Sequence, residues 1–163
     1  MKLQQTKITD SDKYHFYQYH DKTCIEYQGC GNVSASESGR KYSIDNKSKK
    51  EIVKYKIDGG LINDDNEIKC DYGFYTEDNV LYLVELKGGD YGHAIDQIIN
   101  TVKKLVKEPK IILSKLNARV VISKARPPEL RSSNEQKLKR LLDSYCFDKD
   151  NLKKQSQQMT EIL

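Results

Sequence analysis

The chain has 163 residues, of which 32% are charged, with a net charge of +4 and no Trp. That length suits one domain with one core and is short for two, and so small a positive excess does not by itself establish a nucleic-acid partner. Four cysteines argue against a disulfide scaffold, and no apolar stretch approaches membrane-spanning length; with no signal-peptide core in Met1-Lys2-Leu3-Gln4-Gln5, a reducing cytoplasm and no membrane partner are expected.

The first fifty residues carry the weakest pattern and read as an N-terminal extension, 1–50. Tyr14, Phe16, Tyr17, Tyr19 and Tyr27 follow no clean period. Cys24 and Cys30 follow His15 and His20, but their spacing does not match the compact pairs of structural zinc sites, so ordinary thiols are the default. Residues 29–39 are rich in Gly, Ser and Asn and read as a loop, with Glu37 near its end. Lys47 to Glu51 is a charged patch at a turn or a helix end.

The core is expected over 51–148. Val53, Tyr55 and Ile57 alternate with Lys54 and Lys56, which predicts a strand; after Asp58-Gly59-Gly60, Leu61 and Ile62 would continue it across a bulge. Asp58 itself reads as a turn residue. Asn63 to Asn66 is a turn cluster, Ile68 to Tyr75 a second strand, Thr76 to Asn79 a further turn, and Val80 to Lys87 a third strand, giving a meander. Gly88-Gly89 breaks that strand, and Asp90 is placed to cap a helix on which Ala94, Ile95, Ile98, Ile99, Val102, Leu105 and Val106 recur at helical spacing until Pro109. Val120 to Ile122 reads as a short buried strand ending before Pro127-Pro128, and Glu135 to Tyr145 as an amphipathic helix. The polar tail 149–163 reads as a further helix or as partly disordered. Between Lys103 and Arg126 the only acid is Glu108, a local excess of positive charge that would suit a phosphate-binding face as well as a solvated one.

The apolar run Val80-Leu81-Tyr82-Leu83-Val84 ends in Glu85-Leu86-Lys87, and Asp71 opens or closes the strand just before it. Alternation along a strand puts Glu85 and Lys87 on one face, and charges at the end of a buried strand are costly unless they pair or bind something. An E-x-K triplet alone is common on exposed strands, where it is an ordinary ion pair.

The order strand, strand ending in acid-x-lysine, helix, strand, carried by Asp71, Glu85 and Lys87, resembles the PD-(D/E)XK nuclease superfamily over about 52–124. The resemblance implies an α/β fold with a restriction-endonuclease-like core: a three-stranded meander, then helix, strand and C-terminal helix. It implies that Asp71, Glu85 and the carbonyl of Leu86 hold Mg2+, with Mn2+ as a substitute, and that Lys87 aids the attacking water or the phosphate. Gln97 on the next helix matches the family's glutamine, with Tyr91 and His93 nearby. Glu37, or less well Glu51, would stand for an acid that the family carries on an upstream helix; no proline precedes Asp71, a departure from the pattern. All-oxygen ligation suits magnesium independently of any resemblance. The implied function is a metal-dependent endonuclease hydrolysing phosphodiester bonds, in DNA rather than RNA, with a homodimer as one way to cut two strands. The alternative is a nucleic-acid-binding or assembly module that keeps the fold without turnover.

Overall fold

A computed structural model describes residues 14–86, 90–123 and 133–163. Along the chain run β1 (Tyr14–His15), α1 (Phe16–Tyr19), β2 (Ile25–Gly29), β3 (Val33–Glu37), β4 (Arg40–Asp45), β5 (Ile52–Lys56), β6 (Tyr72–Thr76) and β7 (Val80–Glu85). There follow α2 (Tyr91–Val102), β8 (Ile111–Ile112), β9 (Lys115–Ile122), α3 (Ser133–Asp143), β10 (Leu152–Ser156) and β11 (Gln158–Ile162). Most strands form a six-stranded sheet in the order β10-β9-β7-β6-β5-β2, and β11-β4-β3 form a smaller one. The protein is thus a mixed α/β structure. Its β5-β6-β7 meander is antiparallel, while β9 lies parallel to β7 and β10 parallel to β9.

The unbroken apolar run in β7 follows from burial on both sides of the large sheet. Leu81 and Leu83 face the helices in a core shared with Tyr55, Tyr75, Ile95, Ile98, Ala118 and Leu138. Tyr82, Val84 and Leu86 face the small sheet, against Tyr42, Ile44, Phe74 and Val121. α2 buries Ala94, Ile95, Ile98 and Val102, and the Asp90 carboxylate caps it by accepting from the His93 N–H at 3.1 Å. A π-helical turn over Lys103–Lys107 buries Leu105 and Val106 before Pro109 stops the helix.

Several expectations are corrected. The expected loop 29–39 contains β3, whose inward residues are only Val33 and Ala35, a signal diluted by the serines between them. Ser38 and Gly39, with φ of 50° and 79°, make the two-residue turn that pairs Glu37 with Arg40. Leu61 and Ile62 do not extend β5; the chain turns back, with Ile62 N–H donating to the Ile57 carbonyl at 3.0 Å. The second strand starts at Tyr72 rather than Ile68, because α2 side chains hold the preceding residues. β9 begins at Lys115 rather than Val120, its pattern masked by Asn117 and Arg119, both buried toward the small sheet.

Instead of a helix or disorder, the tail forms two strands. β10 joins the large sheet, Gln157 turns with φ of 61°, and β11 pairs parallel with β4 in the small one. The positive stretch is not a single face either. Lys104 pairs with Glu67 at 3.2 Å, Lys115 pairs with Asp148, and the buried Arg119 pairs with Glu161 on β11. Lys124 and Arg126 lie outside the described residues. Among the described residues no helix is long and apolar enough to cross a membrane.

Candidate metal and phosphate site

The antiparallel ladder ends with Tyr72 opposite Val84; Asp71 directly precedes Tyr72, and Glu85 directly follows Val84. The Asp71 carboxylate accepts from the Leu86 N–H at 2.8 Å, which ties the end of one strand to the end of its neighbour. The peptide of Asp71 is equally fixed: its N–H donates to the Val84 carbonyl at 3.2 Å and its carbonyl accepts from Ile57 N–H at 3.0 Å. Asp71 is 3% exposed and Glu85 is fully buried. Glu85 shares the face of Leu81 and Leu83, so it is directed toward α2.

α2 grips the segment leading into Asp71 through three side chains. Asn100 donates to the Ile68 carbonyl at 2.6 Å and Gln97 to the Lys69 carbonyl at 2.8 Å. The Thr101 hydroxyl accepts from the Cys70 N–H at 2.9 Å. Positions 97, 100 and 101 lie on one helix face, and each reads the next backbone group of an irregular segment. The Cys70 thiol is pushed well up by burial, reinforced by the charges of Glu85 and Asp71, so it stays a neutral thiol beside them.

The β3–β4 hairpin brings the remaining groups. Glu37, Lys56, Asp58, Asp71 and Tyr72 line a cavity of ≈ 290 Å³ at the end of the meander. Lys69 sits at its rim, with its ammonium 3.6 Å from Asp58 and donating to the Asp64 carbonyl at 2.8 Å. Burial first, then the carboxylates of Glu26, Glu37, Asp71 and Asp58, raise the Tyr72 phenol, which is therefore a neutral hydroxyl. Arg40 Nη1 donates to the Leu86 carbonyl at 3.0 Å, and its buried Nε has no hydrogen-bond partner among the described residues.

The structure therefore ties the Asp71 carboxylate to the Leu86 backbone, with the buried Glu85 one residue before Leu86 and directed toward α2. Lys87 lies outside the described residues. Gln97 does not reach into the cavity; it acts on the Lys69 carbonyl, which makes it a positioning residue. Glu37 does line the cavity, although it comes from a strand and not a helix. Glu51 is at the opposite end of β5, where it accepts from the Gln28 amide at 2.7 Å. His93 is exposed, and the Tyr91 hydroxyl donates to Glu135 at 3.2 Å. The expected turn role of Asp58 holds, but its carboxylate also faces the cavity. His20, weighed above as a zinc ligand, has its ring Nε2 2.8 Å from the Leu105 carbonyl.

Arg40 and Lys56 were not singled out from the sequence. Lys56 had a usable signal, as the last outward residue of an alternating strand whose neighbour ends at Asp71. Arg40 had only the Ser38-Gly39 turn before it. Among the described residues no group of three or more His, Cys, Asp or Glu is gathered as a metal cluster. The donors at hand are two carboxylates and a carbonyl, an all-oxygen set that suits a hard divalent cation retaining several waters. The Leu86 carbonyl keeps a second lone pair beside its bond from Arg40. Ionised carboxylates near one another repel, and a cation held by both would offset that cost. No protein-family model, curated protein or solved structure matches this chain.

Proposed function

We propose that this protein is a magnesium-dependent nuclease that hydrolyses phosphodiester bonds in DNA, built on a restriction-endonuclease-like core. The observation that carries the reading is the buried Asp71 carboxylate bonded to the Leu86 N–H, at the end of the strand whose last residue is the buried Glu85. The order of elements supports it: an antiparallel meander, the crossover helix α2, and β9 parallel beside β7.

Asp71, Glu85 and the Leu86 carbonyl would hold the metal. When bound, magnesium lowers the pKa of a coordinated water and offsets charge on the reacting phosphate. The chain's own residues set the geometry. Arg40 fixes the direction of the Leu86 carbonyl, and Gln97 with Thr101 keeps the backbone before Asp71 in line. Lys56 at the cavity and Arg40 at the Leu86 carbonyl supply positive charge for phosphate oxygens, and Lys87, by its place in the triplet, is assigned to the attacking water or the phosphate. Hydrolysis joins a water oxygen to phosphorus and breaks one ester P–O bond, and the departing oxygen takes up a proton.

The test is incubation with supercoiled plasmid and with single-stranded DNA, in magnesium, manganese or chelator. Asp71→Asn, Glu85→Gln and Lys87→Ala are run beside the wild type, with thermal melting to confirm folding. Cutting that requires metal and is lost at least about a hundredfold in each folded variant supports the reading. A folded wild type that binds DNA yet cuts neither substrate would leave the binding module in its place.

A further inference from the structure

A cavity of ≈ 350 Å³ lies in the angle between α3 and the edge strand β10, lined by Tyr91, Glu135, Arg140, Lys149, Leu152 and Lys154 among others. Four basic side chains, Lys139, Arg140, Lys149 and Lys154, gather around it against one acid, Glu135. Several basic side chains elsewhere are paired, Lys50 with Asp78, Lys54 with Glu26, Lys104 with Glu67 and Lys115 with Asp148, while others such as Lys103 and Lys107 stand apart on open surface. Lys139, at the groove wall, is occupied by Asp143 and by the Asp148 carbonyl. Arg140, Lys149 and Lys154 are exposed and make no ion pair among the described residues. The Lys154 ammonium rests 4.2 Å from the centre of the Tyr91 ring, which leaves its donors directed outward. Glu135, the groove's acid, accepts from the Tyr91 hydroxyl.

The sheet places this groove relative to the carboxylates. Glu85 pairs with Val120 on β9, and Val120 pairs with Lys154 on β10, so the three form one row across parallel strands. Leu152, two residues before Lys154, packs into the helix-side core, as do Leu83 and Val120, so all three members of the row share that face. Two strand spacings separate the backbones of Glu85 and Lys154 by about 10 Å. That span equals about three base-pair steps of a duplex.

From this we infer that the α3–β10 groove binds the phosphate backbone of the nucleic acid flanking the bond held at Asp71 and Glu85, through Arg140, Lys149 and Lys154. The inference rests on the reading of the chain as acting on nucleic acid. Long cationic side chains without an ion-pair partner suit sequence-independent phosphate contact rather than base readout.

The experiment is fluorescence anisotropy of a short labelled DNA duplex, in chelator so that no cleavage occurs, over a range of salt. Lys149→Glu/Lys154→Glu is compared with Lys103→Glu/Lys107→Glu, a pair of exposed lysines at the far end of α2 that changes net charge equally. The groove pair is expected to weaken binding about tenfold or more and to lower the slope of log affinity against log salt by about 2, near 0.9 for each lost phosphate contact. The control pair is expected to leave that slope unchanged. Equal losses in both pairs, an unaffected groove pair, or no binding by the wild type would overturn the inference. Groove-dependent binding without cleavage in any metal would keep it and remove the nuclease. Cleavage by the groove variant with unchanged KM would do the reverse.

Discussion

Replacing Thr101 by valine tests how α2 holds the site. Valine is close to threonine in shape, so the change opens no cavity, but the Cys70 N–H loses the acceptor it holds at 2.9 Å. Cys70 is fully buried, so bulk water cannot take over. An orphaned buried donor costs about 1–3 kcal/mol. Thr101 also bonds back to the Gln97 carbonyl at 2.8 Å, a contact of little net value inside a helix, so its loss adds little. For a chain of this size each kcal/mol lowers Tm by roughly 2–4 °C, which gives an expected fall of about 2–12 °C. Thermal melting followed by circular dichroism reads the total. Hydrogen exchange at the Cys70 and Asp71 amides reads the location, and faster exchange is expected there before it appears in β9. Unchanged melting and unchanged protection at Cys70 would show that the helix does not hold this segment.

Two further outcomes are expected. Arg119→Met strands Glu161, which is buried beside it, and should cost about 3–5 kcal/mol, whereas Arg119→Met with Glu161→Leu should recover most of that loss; urea titrations that rank the double variant below the single one would contradict this. Burial chiefly, with a smaller contribution from Lys22, holds His20 down to about 4 in the folded chain. The unfolded chain therefore takes up the proton first, and stability present above about pH 6.5 is lost as pH falls toward 4, by up to about 3 kcal/mol. His20→Gln should flatten the dependence of Tm on pH over that window, and parallel curves for variant and wild type would exclude His20 as its source.

What could be read in the sequence was local. Asp71 and Glu85 are joined by a short turn over residues 76–79, and β7 announces itself because both its faces are buried. α2 shows its period and its cap in one stretch. The hidden parts depend on distant partners. β3 buries only two small apolar residues, and β11 buries Met159 and Glu161, the latter tolerable inside only because Arg119 meets it from another sheet. For the same reason Arg40 escaped notice: it nears the Leu86 carbonyl only because the small sheet packs across the large one. The position of Gln97 on α2 is plain in the sequence, but its partner, a backbone carbonyl, carries no mark there.

The pairing of β11 with β4 has a consequence for synthesis. Lys41 finds its ladder partner in Gln158, so the hairpin bearing Glu37 and Arg40 leaves the ribosome long before its third strand exists. Contacts so remote in sequence form late, after the meander and α2 have had time to settle around Asp71 and Glu85. The hairpin tip would then close over the end of the meander at Asp71 as one of the last folding events, leaving a nascent chain whose arginine is not yet on the Leu86 carbonyl.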